Sequence, residues 1–332
     1  MRVVIVGATG VVGQTMLKIL AQRQFPVAEL FLLASERSAG QVISFNQQMI
    51  TLQDLAHFDF AQADLALFSA GAEISKYYAP KAAQANCMVI DNTSYFRQDE
   101  DVPLIIPEVN GNVINKSYRP PRNIIANPNC STIQMLVALK PIYDAVGIKR
   151  INVCTYQAVS GSGKQAIDEL QQQTITAGTS SKVYAKPIAF NVLPHIDTFQ
   201  SNGYTREEMK MIWETQKILN DQQITINPTA VRVPVVNGHS EALHIETTDK
   251  ITAAQAKQLL RHAPGITLID DNHDYPTALT HADGQDAVFV GRIREDISHP
   301  RGLNLWVVAD NLRKGAALNS IQIAECLLLS HK

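Results

Sequence analysis

The sequence has no CxxC pair. Its four cysteines, Cys87, Cys130, Cys154 and Cys326, are widely scattered, which argues against a zinc module and against a dense disulfide framework. No apolar run is long enough to cross a bilayer. Neither sign of charge dominates: the formal net charge is −2, so nucleic acids and acidic membranes are poor candidates as partners. No internal repeat and no low-complexity stretch is visible. The short apolar run inside MRVVIVGATG leads into glycines rather than a small-residue cleavage site, so it reads as a strand and not as a signal peptide. A cytoplasmic protein is the simplest expectation. What is present is an ordinary globular mixture, 45% hydrophobic and 18% charged, over 332 residues. That length suits about two domains.

Residues 2–6 form a β-branched run suited to a strand buried on both faces. A glycine turn and a helix over 14–23 follow, then apolar runs at 30–34, 65–69 and 87–91, the last two separated by a helical stretch at 73–85. Strands alternating with helices predict a doubly wound α/β domain of the Rossmann type up to residue 129. The pattern then changes. Helices are expected at 131–145, 163–177, 205–219, 252–262 and 315–329, and strands at 149–159, 231–236, 241–246 and 303–309. This mixture predicts an α+β domain over 130–311, while the segment 270–286 is polar and gives no clear signal.

Gly7-Ala8-Thr9-Gly10-Val11-Val12-Gly13 lies between the first strand and the first helix. Glycines there let the backbone approach a pyrophosphate, and the N–H groups of the helix start face its charge. The spacing is GxxGxxG rather than GxGxxG, and a plain connecting turn would also use glycine. At the end of the second strand stands Ser35-Glu36-Arg37-Ser38. Arg37 and Ser38 suit the 2′-phosphate of NADP, whereas the Glu36 carboxylate suits the 2′-hydroxyl of NAD. A phosphate-loop reading of Ser160-Gly161-Ser162-Gly163-Lys164 fails, because Ala158 and Gln165 stand where Gly and Ser or Thr are required.

Asn127-Pro128-Asn129-Cys130-Ser131-Thr132 precedes an amphipathic helix that Asn129 can cap. Cys130 then falls in the first turn, where the helix dipole favours a thiolate. The free N–H groups of that turn are expected to face an oxyanion. A lone cysteine is more often a packing residue, but this polar approach is unlike a core segment. Cys87, Cys154 and Cys326 lie in apolar patterns and are assigned to packing. A thiolate beside a nicotinamide suggests thiol addition to an aldehyde, hydride removal and attack by phosphate or water on the resulting thioester.

The second dense cluster is Arg232-Val233-Pro234-Val235-Val236-Asn237-Gly238-His239-Ser240. His239 suits proton shuttling, and Arg232 suits a two-pronged grip on a carboxylate. The alternation of a strand turns His239 and Glu241 one way and His244 and Glu246 the other, so no metal site is expected. Glu214 and Lys217 are three apart on a helix, which by pattern alone is a solvated ion pair.

Together these segments resemble the aspartate-semialdehyde dehydrogenase family over essentially the whole chain. The specific pieces are GATGVVG, FRQDEDVPLIIPEVN from Phe96, NPNCST around Cys130, TYQAVSGSGK from Thr155, RVPVVNGHS from Arg232, VFVGRIR from Val288 and LWVVADNLRKGAA from Leu305. The resemblance implies that Cys130 is the acylated nucleophile, His239 the acid–base residue and Gln157 the residue that orients the intermediate. It implies that Arg232 binds the substrate carboxylate, Glu214 its ammonium group, and Arg97, Asn129 and Lys217 its phosphate. The implied cofactor is NADP, at Gly7, Thr9, Gly10, Val11, Val12, Gly13, Ser35, Arg37, Ser38, Ser69, Gly71, Ser160, Gly161 and Asn311. It further implies a homodimer or dimer of dimers, and a last segment, 312–332, that completes the first domain. The related reductase of N-acetyl-glutamyl phosphate is the competing enzyme reading; its substrate has no free ammonium group, which leaves Glu214 less to do. A non-catalytic NADP-binding protein is the reading from outside enzymology. The family often carries a cysteine two residues before the arginine, where this chain has Ala230.

Overall fold

The computed structural model describes residues 1–115, 118–176, 180–271 and 273–330. The chain divides into two compact units, Met1–Pro128 with Ala316–Lys332, and Asn129–Gly315. Residues 312–315 thus stay with the second unit. Gly315 is held there by its N–H, which donates to the Asp310 carbonyl at 3.1 Å, and the Asp310 carboxylate takes the N–H groups of Leu312 and Arg313.

The first unit runs β1 (Arg2–Val6), α1 (Val11–Gln22), β2 (Glu29–Ala34), β3 (Val42–Phe45), β4 (Gln48–Thr51), β5 (Gln53–Asp54), β6 (Leu65–Phe68), α2 (Ala72–Gln84), β7 (Met88–Asp91), α3 (Pro107–Asn110) and β8 (Ile124–Ala126). Its main sheet is parallel, in the order β5-β2-β1-β6-β7-β8. The chain steps from β1 to β2 on one side and later to β6 on the other, so the sheet has its switch point at the ends of β1 and β6. Val3 to Val6 are fully buried, as an unbroken β-branched run requires. The C-terminal helix, Leu318–Ser330, sinks Leu318, Ile321, Ile323, Ala324 and Leu327 into the same core as Val3, Ile5, Met16 and Leu32. Asn319 Nδ2 pins that helix by donating to the Ile105 carbonyl at 3.0 Å and to Asn127 Oδ1 at 2.7 Å.

Helix α1 begins three residues before the expected start, because Gly10 already serves as its N-cap and the glycine turn is part of the helix entry. The β3–β4 hairpin was not foreseen. Its turn residues, Asn46 and Gln47, both have positive φ without a glycine, so the usual hairpin signal is missing.

The second unit runs α4 (Cys130–Val146), β9 (Ile148–Gln157), α5 (Lys164–Ile175), α6 (Arg206–Leu219), β10 (Thr225–Arg232), β11 (His239–Thr247), α7 (Ala253–Arg261), β12 (Ile266–Leu268), β13 (Val288–Glu295) and β14 (Gly302–Ala309). The strands form a mixed sheet in the order β10-β9-β11-β14-β13-β12. Helix α4 crosses β9, β11, β13 and β14, with α6 and α7 beside it. The strand expected at 231–236 instead ends at Arg232, since Pro234 has no N–H to give the ladder. Along β11, His239, Glu241, Leu243, Ile245 and Thr247 are buried while Ala242, His244 and Glu246 are half-buried, so the expected alternation holds. The half-buried face, with Cys154, Thr229 and Trp306, lines a cavity of about 870 Å³.

Candidate active site

In the first unit the expected nucleotide residues gather around the switch point. Gly7 has φ +89°, and a Cβ there would stand 3.0 Å from the backbone of Ser69 and Ala70. At Gly13 a Cβ would come within 2.3 Å of the Gly7 carbonyl oxygen, so only glycine lets α1 seat on the turn. Gly10 caps α1 without a side-chain hydrogen bond, and Thr9 and Gly10 are exposed. Gly71, with φ +99°, opens α2 in the same way beside β1. The sheet edge therefore presents two helix starts that no side chain caps, which is the donor set a pyrophosphate needs. Ser69 Oγ is turned back to the Val6 carbonyl at 3.3 Å. Ser35 caps the short turn Glu36–Ser38. Ser35, Glu36 and Arg37 are exposed and Ser38 is half-buried. Beyond β7, Arg97 is buried and its Nη2 donates to the Asn92 carbonyl at 2.8 Å.

The remaining expected residues lie in the second unit, so the structure puts Arg97 in a different unit from Asn129 and Lys217. Cys130 is the first residue of α4, and a Cβ on Gly315 would stand 2.8 Å from its Cβ. Asn129 caps the helix: its Oδ1 takes the N–H groups of Ser131 at 3.0 Å and Thr132 at 3.2 Å. The expectation that these N–H groups await an oxyanion is therefore corrected, because the cap has already taken both. Asn129 N donates to Glu214 Oε2 at 2.6 Å, and Glu214 is fully buried rather than solvated. The solvated setting expected from the pattern is thereby corrected, because α6 turns that face toward α4. Lys217 is half-buried one turn further along.

His239 is fully buried. Its Nδ1 accepts from the Ala158 N–H at 3.0 Å, while Nε2 is buried without a hydrogen-bond partner. A backbone N–H can only donate, so the neutral ring carries its proton on Nε2. Burial and then the Arg232 guanidinium pull its pKa down to about 3, against an opposing pull from Glu207. Arg232, also buried, donates from Nη1 to the Ala158 carbonyl at 2.7 Å. A Cβ on Gly161 would stand 3.1 Å from that Nη1 and 3.5 Å from His239 Nε2, so this glycine leaves room for both. Arg232 borders a cavity of about 650 Å³ with Tyr184, Lys186 and His195. The larger cavity on the open sheet face lies away from this chemistry. Ser160 and Asn311, both expected at the cofactor, bond to each other at 3.0 Å, and Asn311 Oδ1 also takes the Gly238 N–H at 2.8 Å. They fix the turn that delivers His239.

Sequence reasoning missed three residues. Glu207 Oε1 accepts from Asn129 Nδ2 at 2.8 Å and from Gln157 Nε2 at 3.2 Å. Its signal was present: Glu207, Lys210, Glu214 and Lys217 repeat at helical spacing and mark one face of α6. Gln134, one turn after Cys130, donates to the His239 carbonyl at 3.3 Å. Glu241 is fully buried, and its oxygens make no hydrogen bond of good geometry. Burial pushes its pKa well above the usual carboxylate range, with only the Gln134 amide acting the other way.

Comparison with known proteins agrees with this layout. Residues 2–117 match the model of the semialdehyde dehydrogenase NAD binding domain, and residues 139–314 that of the semialdehyde dehydrogenase dimerisation domain. An aspartate-semialdehyde dehydrogenase of a Shewanella species is 62% identical over 98% of this chain and 97% of its own length. That of Bacillus subtilis is 48% identical over 98% and 97%. The crystal structure of aspartate semialdehyde dehydrogenase II from Vibrio cholerae complexed with ASA is 57% identical, with a TM-score of 0.97 over 100% of this chain and 99% of the other. The Candida albicans enzyme with NADP is 26% identical, with a TM-score of 0.78 over 99% and 98%. By identity, coverage and fold, the chain belongs to the aspartate-semialdehyde dehydrogenase family.

Proposed function

We propose that the chain catalyses the reversible NADP-dependent reduction of L-aspartyl 4-phosphate to L-aspartate 4-semialdehyde with release of phosphate. In the cell this step would serve lysine, threonine, methionine and diaminopimelate biosynthesis. The observation that carries the reading is a cysteine at a capped helix start, in one unit with an imidazole whose Nε2 proton has no internal partner.

Cys130 Sγ attacks the acyl carbon, and the bond from that carbon to the phosphate oxygen breaks. The Nε2–H of neutral His239 donates to the oxygen that becomes negative in the tetrahedral adduct. Bound NADPH supplies the hydride that reduces the thioester carbon. The resulting alkoxide, held by the same donor, re-forms its carbonyl as the carbon–sulfur bond breaks and the thiolate returns. The proton taken up overall ends on the released phosphate, so no step requires a charged imidazole. Gln157 orients the acyl group, Arg232 binds the α-carboxylate and Glu214 the ammonium. Arg97, Asn129 and Lys217 bind phosphate.

For NADP, the uncapped starts of α1 and α2 supply donors to the pyrophosphate through Gly7, Thr9 to Gly13, Ser69 and Gly71. Ser35, Arg37 and Ser38 receive the 2′-phosphate, with Ser160, Gly161 and Asn311 as further contacts. Arg37 suits this role because among the described residues it is exposed and engaged in no ion pair. The first unit, completed by the C-terminal helix, serves as the NADP-binding domain and the second as the catalytic and dimerisation domain. We infer a homodimer, alone or as a dimer of dimers, because the matched dimerisation domain leaves one sheet face open. A cytoplasmic location suits the chain, since no disulfide links its cysteines.

The test is phosphate-dependent reduction of NADP by L-aspartate 4-semialdehyde. Turnover that disappears in Cys130→Ala supports the reading; full turnover in that variant overturns it.

A further inference from the structure

We propose that Asp91 is a positioning residue for two subsites at once: its buried carboxylate ties the start of α2, on the cofactor side, to the turn that leads into Arg97, on the phosphate side. The roles of Gly71 and Arg97 are those proposed above, and the assignment of Asp91 rests on them.

Asp91 is the last residue of β7 and is 0% exposed. A carboxyl group so placed has to find its donors within the protein. Oδ1 receives Ser75 Oγ at 2.8 Å and the Thr93 N–H at 3.0 Å, and Oδ2 receives Thr93 Oγ1 at 2.8 Å. One arm of this network reaches the helix. Ser75 stands in the first turn of α2, and its N–H donates to the Gly71 carbonyl at 3.1 Å, the bond that opens the helix. The other arm holds the chain where it leaves β7. Thr93 Oγ1 also accepts from the Tyr95 N–H at 3.4 Å, and between Asp91 and Thr93 the Asn92 carbonyl accepts from Arg97 Nη2 at 2.8 Å. The turn that Asp91 closes onto Thr93 therefore fixes the carbonyl that holds the Arg97 guanidinium. Asn92 is in turn anchored to the sheet, its N–H donating to the Phe68 carbonyl at 2.9 Å. Burial pushes the Asp91 pKa up, while the Thr93 N–H, the two hydroxyls and then Arg97 act in favour of its charge. One side chain thus sets the place of a helix start and of a guanidinium together. The proposed chemistry has no direct use for Asp91, so its loss should act through those two groups.

The test separates the two arms. Ser75→Ala cuts only the bond to α2, Thr93→Val removes the hydroxyl from the turn and leaves Ser75 in place, and Asp91→Ala cuts both. We expect the Kd for NADPH, read by fluorescence titration, to rise about fivefold or more in Ser75→Ala, with the KM for phosphate held within roughly twofold. In Thr93→Val the pattern should reverse: the phosphate KM rises about fivefold or more and the NADPH Kd stays within roughly twofold. Asp91→Ala should raise both constants. Circular dichroism and melting temperature establish that each variant is folded, and if Asp91→Ala is not, the two single-arm variants decide. A mere structural prop would lower the melting temperature and move both constants together in every variant; that outcome overturns the proposal. Unchanged constants in Ser75→Ala and Thr93→Val overturn it as well. The NADPH titration needs no turnover. If the unaltered enzyme gives no phosphate-dependent turnover, the reaction is wrong, while an unchanged NADPH Kd in Ser75→Ala refutes the role of Asp91 itself.

Discussion

Gly161 lies so close to the imidazole of His239 that a Cβ on residue 161 would stand 3.4 Å from Cε1 and 3.5 Å from Nε2. The same atom would be 3.1 Å from Arg232 Nη1. Gly161→Ala should therefore wedge apart two groups that the proposed reaction needs in register. The fold has little reason to fail, because φ at this position is not in the left-handed range. We expect kcat/KM to fall on the order of tenfold or more, since sub-ångström displacement of positioned groups is costly. Unchanged kinetics would show that the Arg232–His239 spacing is not critical.

Asn129→Ala should cost stability as well as activity. The cap of α4 is worth about 1 kcal/mol. Removing the amide also takes a donor from the buried Glu207 carboxylate, which adds roughly 1–3 kcal/mol. Denaturant unfolding would measure the sum, and a midpoint equal to that of the unaltered protein would contradict the cap as described.

Acid should destabilise the fold from an unusually high pH. The His239 pKa falls from 6.5 to about 3 on folding. Between those values the unfolded chain takes up a proton that the folded chain refuses, so stability rises with pH across this window and is fully present above it. Glu207, lowered from 4.5 to about 2, adds the same sign at lower pH. Glu241, raised well above 4.5, opposes them as pH rises. Unfolding midpoints of His239→Gln should therefore depend less steeply on pH between about 4 and 6.5. An undiminished slope would assign the acid sensitivity elsewhere. The kcat/KM profile near neutrality should show no limb from this imidazole.

Arg37→Ala should weaken NADP binding on the order of tenfold and change NAD binding little, since only NADP carries the 2′-phosphate. Fluorescence titration of NADPH and NADH would read both. Equal losses would move the 2′-phosphate contact off Arg37.

Iodoacetamide near neutral pH should modify Cys130 well before Cys87. Burial pushes the Cys87 thiol up to about 12, so almost none of it is thiolate under these conditions. Peptide mapping that finds Cys87 labelled first would contradict both assignments.

The first unit was legible because its strands are continuous apolar runs and its glycines stand where only glycine fits, as at Gly7 and Gly13. Arg232, Cys130 and His239 were legible from local polarity within otherwise apolar patterns. Glu207 was not, because a charged helix stripe normally faces water, and only the packing of α6 on α4 reverses that. Glu241 looked like one more polar residue in a strand; its burial, and with it the upward push on its pKa, depends on α4 lying over β11. The Asn46–Gln47 hairpin escaped because its left-handed residues are not glycine. What local sequence could not carry was, in each case, which face another element would cover.

The hydrophobic interior of the first unit contains Val3 and Leu32 from the start of the chain and Ile321 and Leu327 from its end. On the ribosome, the early strands must wait, with part of their oily surface unclosed, until the helix Leu318–Ser330 has been made. The intervening unit, Asn129–Gly315, is meanwhile entirely synthesised. It is therefore free to settle first, and a nascent chain truncated before the final helix would leave the nucleotide-binding half exposed to chaperones and proteases.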